Sequence, residues 1–202
     1  MAGLTIDIFQ IQSRQGGSTK PMMALLTMDH EALDRLLGDL LEEFDKGDKI
    51  RVFEKLDLLW ARLAMHIRAE HLHLFPAILN ALGEDSNFSP INAPSWDQAQ
   101  EAVARLCEDH DFFMAELAKA VNAARELLTP EGRPSTDQLR EIKRRVLAVS
   151  CRLLEHNRLE EEQVYLWAET LLSATECARL LARMKHEIEN LPPRFSISSG
   201  NT

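Results

Sequence analysis

His66-Ile67-Arg68-Ala69-Glu70 and His156-Asn157-Arg158-Leu159-Glu160 are two copies of one short pattern. Each places a Glu four residues after a His, and an aromatic, Phe75 or Tyr165, nine residues after it. Four residues is just over one helical turn, so each His and its Glu share a helix face. Each copy is preceded, on a helix of its own, by a further His: His30 and His110. Two such sets are the residues of a metal site built from four helices.

The elements that must position them are legible as apolar stripes. The first helix is expected from Pro21 to about Lys46, with the seam Leu26, His30, Leu33, Leu37, Leu40, Phe44, and Gly47-Asp48 ends it. The second is expected from Lys49 to Leu82 through Leu56, Leu59, Leu63, His66, Glu70, Leu74 and Ala77, with Pro76 bending or tightening its late part. The third, capped by Ser95, should run from Trp96 to about Leu128 through Val103, Leu106, His110, Phe113, Leu117 and Ala120. The fourth, capped by Ser135 or Thr136, should run to about Leu172. Its seam is Leu139, Ile142, Val146, Val149, Leu153, His156, Glu160, Val164, Trp167 and Leu171. A shorter amphipathic helix follows, from about Ala174 to Asn190. Each half of the chain is thus a helix with one His followed by a helix with His-x3-Glu, an internal repeat.

The expected fold is all-α: an up-down-up-down antiparallel four-helix bundle over residues 21–190, with an extra C-terminal helix. An irregular N-terminal arm spans 1–20, with Thr5–Ile11 alternating as a short strand would, and a disordered tail spans 191–202.

The seams bring four His and two Glu into one interior with no seam Lys or Arg to compensate. A neutral His needs partners for two ring nitrogens, and a buried Glu rarely stays ionised without a cation or strong donors. A pair of divalent cations satisfies the whole set at once. Two His plus a carboxylate, with positions left open, suits non-haem iron; manganese or a mixed pair remains open. Structural zinc fits less well, because no Cys lies on a seam.

The order His, His-x3-Glu, His, His-x3-Glu, with Leu74-Phe75-Pro76 after the first pair, resembles the hemerythrin-like (HHE cation-binding) family over roughly residues 22–172. The resemblance implies two non-haem iron ions with bridging carboxylates, held by His30, His66, Glu70, His110, His156 and Glu160. It implies chemistry with a small diatomic ligand, O2 or NO, or with peroxide, or a role in sensing or iron and redox homeostasis. Oxygen carriers of the family place a second His one turn before the third-helix His, where this chain has Leu106. That departure favours sensing or redox chemistry over carriage. Enzymatic reduction of peroxide or NO, repair of iron centres, and a metal-free polar network are the competing readings. The repair reading is weakened by the lack of any Cys before Cys107.

The remaining candidates need placing. His73, seven residues after His66, could be a fifth His ligand or could hydrogen-bond Glu70. Glu161 could substitute for Glu160, although the repeat favours Glu160. His71 and His186 are expected at the surface, and Tyr165 and Phe75 in the core. Cys107, Cys151 and Cys177 form no CxxC motif and read as reduced, mostly buried thiols of a cytoplasmic protein.

A length of 202 residues suits one domain, and 45% hydrophobic with 27% charged residues is ordinary for a globular chain. A net charge of −9 argues against a nucleic-acid partner. No apolar run is long enough to span a bilayer, and a homodimer is left open.

Overall fold

A computed structural model of the chain describes residues 21–83, 93–129 and 136–195, and all regular structure among them is helical. In order come α1 (Pro21–Lys46), α2 (Lys49–Ala69), a π turn (Glu70–Leu74), α3 (Phe75–Gly83) and α4 (Trp96–Glu126). Then follow α5 (Thr136–Leu159), a second π turn (Glu160–Val164), α6 (Tyr165–Leu171), α7 (Ala174–Glu189) and a 3₁₀ turn (Pro193–Phe195). The expected arm and its strand lie outside the described residues, as do the proposed Ser135 cap and the interior of the loop before Ser95.

Local chemistry sets the boundaries. Gly47 takes φ +73°, and the Gly47 and Asp48 amides donate back to Phe44 and Glu43 carbonyls at 3.2 and 3.3 Å. That is a Schellman ending, and it needs the left-handed residue that glycine tolerates best. Asp48 then caps α2 by accepting from the Arg51 amide at 3.0 Å. Ser95 and Gln98 form a reciprocal capping box on α4, as do Ser173 and Glu176 on α7.

α1 packs on α2, α4 on α5, and α2 on α4, while α7 lies against α2 and α1. The buried apolar residues form two clusters. One gathers Leu33, Leu40, Leu56, Leu63, Phe113, Leu117, Ile142 and Leu153. The other gathers Leu26, Leu74, Ile78, Leu106, Val164, Tyr165, Leu180 and Met184. Along α1, His30 falls between Leu26 of one cluster and Leu33 of the other. His110 falls likewise between Leu106 and Phe113, and His66 and His156 also stand between the two clusters. Each fully buried Leu contributes about 1.5–3 kcal/mol relative to exposure, so apolar burial holds the frame in which a polar layer is tolerated.

The second and fourth expected helices are not continuous. Each is widened by a π turn that begins at its Glu, where the amides of Phe75 and Tyr165 donate to the carbonyls of Glu70 and Glu160, five residues back. Beyond this extra residue the seam slips by one. Ile78 and Ala168 are fully buried, where Ala77 and Trp167 were expected. Pro76 is not the cause, because the second copy has Leu166 there and widens in the same way.

One further expectation is corrected. Cys151 is exposed, while Cys107 and Cys177 are half-buried. The C-terminal segment is described as far as Phe195, and Arg194 pairs with both carboxylate oxygens of Asp57 at 3.1 and 3.2 Å.

Candidate metal centre

His30 is supplied by α1, His66 by α2, His110 by α4 and His156 by α5, while Glu70 and Glu160 open the two π turns. All six are buried, the two Glu completely. They form two groups, His30-His66-Glu70-Glu160 and His110-His156-Glu70-Glu160, each with ligand atoms within 4.8 Å of one another. Both carboxylates belong to both groups.

The atomic detail divides the work of each carboxylate. Glu70 places Oε1 3.3 Å from His66 Nε2 and Oε2 3.4 Å from His110 Nε2. Glu160 places Oε2 3.3 Å from His30 Nε2 and Oε1 3.2 Å from His156 Nε2. Each Glu therefore offers one oxygen to either pair of imidazoles.

The outer nitrogens fix the rings. His66 Nδ1 lies 3.0 Å from Asp29 Oδ2, His156 Nδ1 3.2 Å from Asp109 Oδ2, and His30 Nδ1 2.8 Å from Glu161 Oε1. An ionised carboxylate only accepts, so these Nδ1 atoms donate, and in the neutral rings Nε2 is bare and faces inward. His110 Nδ1 meets His71 Nε2 at 2.8 Å. Arg62 in turn donates to Asp29 at 2.7 Å, and Arg152 donates to Asp109. Such outer partners orient a ligating imidazole and raise its basicity.

The inward nitrogens test whether metal fits. His30 and His66 Nε2 are 3.1 Å apart, and His110 and His156 Nε2 are 3.0 Å apart. Two bare nitrogens at that distance repel unless a proton or a cation serves both. Donors at right angles on one ion, each about 2.1 Å from it, stand about 3.0 Å apart. Among the described residues Glu70 Oε2 and Glu160 Oε1 are buried without a hydrogen-bond partner, Glu70 Oε2 facing His110 and Glu160 Oε1 facing His156. A cation would satisfy them. The donor set fits.

Without a cation the charges are in conflict. Burial and the Glu160 charge push Glu70 above the usual carboxylate range, while His156 and His30 hold Glu160 well below it against the effect of burial. Burial opposes protonation of His66, yet Glu70 and Asp29 raise it well above the ordinary value. His30 and His156 are raised in the same way, by Glu160 with Glu161 and by Glu160 with Glu70. Burial and the neighbouring His156 push His110 down to about 2. Burial likewise acts against ionised Asp29, but His66 and Arg62 keep it below its ordinary value.

Three further side chains stand outside the six-residue group. His73 does not join the cluster: it lines a surface cleft with Leu72 and Arg183 and sits 3.8 Å from Glu187. Glu161 does not replace Glu160, but serves His30 from outside. His71 is exposed as expected, yet its ring supports His110. His186 is exposed, and Leu106 is fully buried in an apolar cluster. Phe75 is buried and lies nearly flat against His110, with centroids 6.1 Å apart and planes at 13°. Tyr165 is buried too, but carries its hydroxyl into the centre, 3.0 Å from Glu70 Oε1 and 3.1 Å from Glu160 Oε2.

Asp29, Asp109, Arg62 and Arg152 were missed in the sequence. Their signal is the repeat itself: Asp-His at 29–30 and 109–110, and an Arg four residues before His66 and His156. No family model, curated protein or solved structure matches this chain. The fold and site define a helical protein whose buried His/Glu groups could hold metal. That arrangement is compatible with a hemerythrin-like fold.

Proposed function

We propose that this chain is a non-haem di-iron protein of hemerythrin type, with Glu70 and Glu160 spanning the two ions. His30 and His66 hold one ion, and His110 and His156 the other. The observation that carries this reading is the division of each carboxylate, one oxygen toward each His pair. The bundle is taken to run up-down-up-down. In support, α1 and α4 pass the two apolar clusters in one order, and α2 and α5 in the reverse order.

The protein binds or senses O2 or NO in the cytoplasm, or serves iron and redox homeostasis there. When bound, an iron pair supplies one-electron chemistry and open positions for a diatomic ligand or peroxide. The chain's own residues do the rest. Asp29, Asp109 and Glu161 hold Nδ1 of His66, His156 and His30, so that Nε2 is the ligand atom turned inward. The apolar clusters exclude water from both sides of the polar layer. Leu106 stands where a carrier of the family has a further His, which favours sensing over carriage. A second reading, reduction of peroxide or NO at the same centre, draws on the buried Tyr165 oxygen beside both carboxylates.

Metal analysis with an optical spectrum of the isolated protein tests the shared core of both readings. Two irons per chain are expected. A chain that folds fully and takes up no iron in reduced form overturns both in favour of a metal-free polar network. Glu70→Ala and Glu160→Ala should each lose the two-metal site, and retention of two irons by both variants would refute the bridging assignment. Stopped-flow mixing of reduced protein with O2, NO and peroxide then separates binding from turnover.

A further inference from the structure

The two halves of the repeat differ at one position inside the centre. Phe75 and Tyr165 are equivalent, each five residues after its Glu and each buried. Phe75 offers only a ring face to His110, whereas the Tyr165 hydroxyl points into the ligand atoms of the other half. It lies 3.1 Å from His30 Nε2, 3.0 Å from Glu70 Oε1 and 3.1 Å from Glu160 Oε2. His30 Nε2 is itself 3.1 Å from His66 Nε2 and 3.3 Å from Glu160 Oε2. His66 Nε2 is 3.3 Å from Glu70 Oε1. These separations all match adjacent donors around one six-coordinate ion, about 3.0 Å apart. A single hydroxyl hydrogen cannot serve Glu70 and Glu160 at once, so hydrogen bonding from Tyr165 leaves one of the two carboxylate contacts unsatisfied.

We propose that Tyr165 is a fifth protein ligand, through its phenolate oxygen, to the ion held by His30, His66, Glu70 and Glu160. This rests on the di-metal reading above. On binding ferric iron, the O–H bond breaks, an oxygen–iron bond forms, and the proton leaves to solvent without change of oxidation state. Among the described residues the second ion has no such donor, since Phe75 stands at the equivalent position. The centre is therefore asymmetric, and an exogenous small ligand binds at the ion held by His110 and His156.

Tyr165 is the only tyrosine of the chain, so any tyrosinate signal from the protein is its own. The test is resonance Raman spectroscopy on iron-loaded, oxidised protein, with iron counted by mass spectrometry. Protein is made with ordinary and with ring-deuterated tyrosine. Two irons, a visible charge-transfer band and phenolate modes that shift on deuteration are expected. Tyr165→Phe should lose the band and the modes while keeping iron. Two irons with no phenolate modes in the wild-type protein overturns the ligand assignment and leaves the di-iron reading standing. No bound iron overturns both. If Tyr165→Phe fails to retain iron, the wild-type deuterium shift still decides.

Discussion

At the scale of single residues, the centre depends on groups outside it. Asp29 and Asp109 hold His66 and His156 by Nδ1, each braced by an Arg from the neighbouring helix. Replacing Asp29 by Asn removes the charge while keeping the shape. Metal affinity should fall by roughly 10–100-fold, as for other outer-sphere partners, with the fold retained, and a competition titration against a chelator of known affinity measures it. The same residues set the pH response. His30, His66 and His156 are raised above the ordinary His value in the metal-free centre. Their carboxylate partners favour the protonated rings, and a metal must displace those protons. Uptake should therefore release protons, and affinity should rise with pH through and above the ordinary His value of 6.5. Calorimetry in buffers of different ionisation enthalpy counts them. His110, pushed down to about 2, adds nothing to that count.

At the scale of elements, the π turns decide the site. In an uninterrupted α-helix, residue i+5 lies about 140° around from residue i. The extra residue of the π turn brings Tyr165 to the same side as Glu160, close enough to bond it. A helix can thus aim His156, Glu160 and Tyr165 inward together. The turn between α1 and α2 is the other decisive element. Among the described residues nothing beyond its chain neighbours lies within 4 Å of a Cβ at Gly47, so the penalty for Gly47→Ala is conformational. It should cost about 1 kcal/mol in urea unfolding, with metal content unchanged.

For the whole molecule, the polar layer ties two apolar clusters together. Among the described residues nine polar or charged side chains are buried, and eight of them belong to the centre or its carboxylate supports. Binding energy there reports on the entire bundle. A metal present at 100 times its dissociation constant stabilises the folded state by about 2.7 kcal/mol. Stripping it with a chelator should lower Tm by roughly 5–10 °C for a chain of this size. Calorimetry before and after metal restoration checks this, and an unchanged Tm would mean that the centre is not coupled to folding. No helix among the described residues is long and apolar enough to cross a membrane.

The sequence by itself determined the helices, their apolar stripes and the six residues that break those stripes. Those features are periodic, and period is a local property of the chain. It also carried the repeat, from which Asp29, Asp109, Arg62 and Arg152 could have been read. It could not place the π turns, because an extra residue in a helix turn is stabilised by what that turn faces across the bundle. Ile78 and Ala168 therefore replaced Ala77 and Trp167 in the core. The roles of Glu161, His71 and His73 were equally undetermined, since each depends on the distance to a side chain on another helix. Only the tertiary structure decided that the Tyr165 hydroxyl enters the centre, because its partners His30 and Glu70 are remote in sequence and become neighbours when the helices pack.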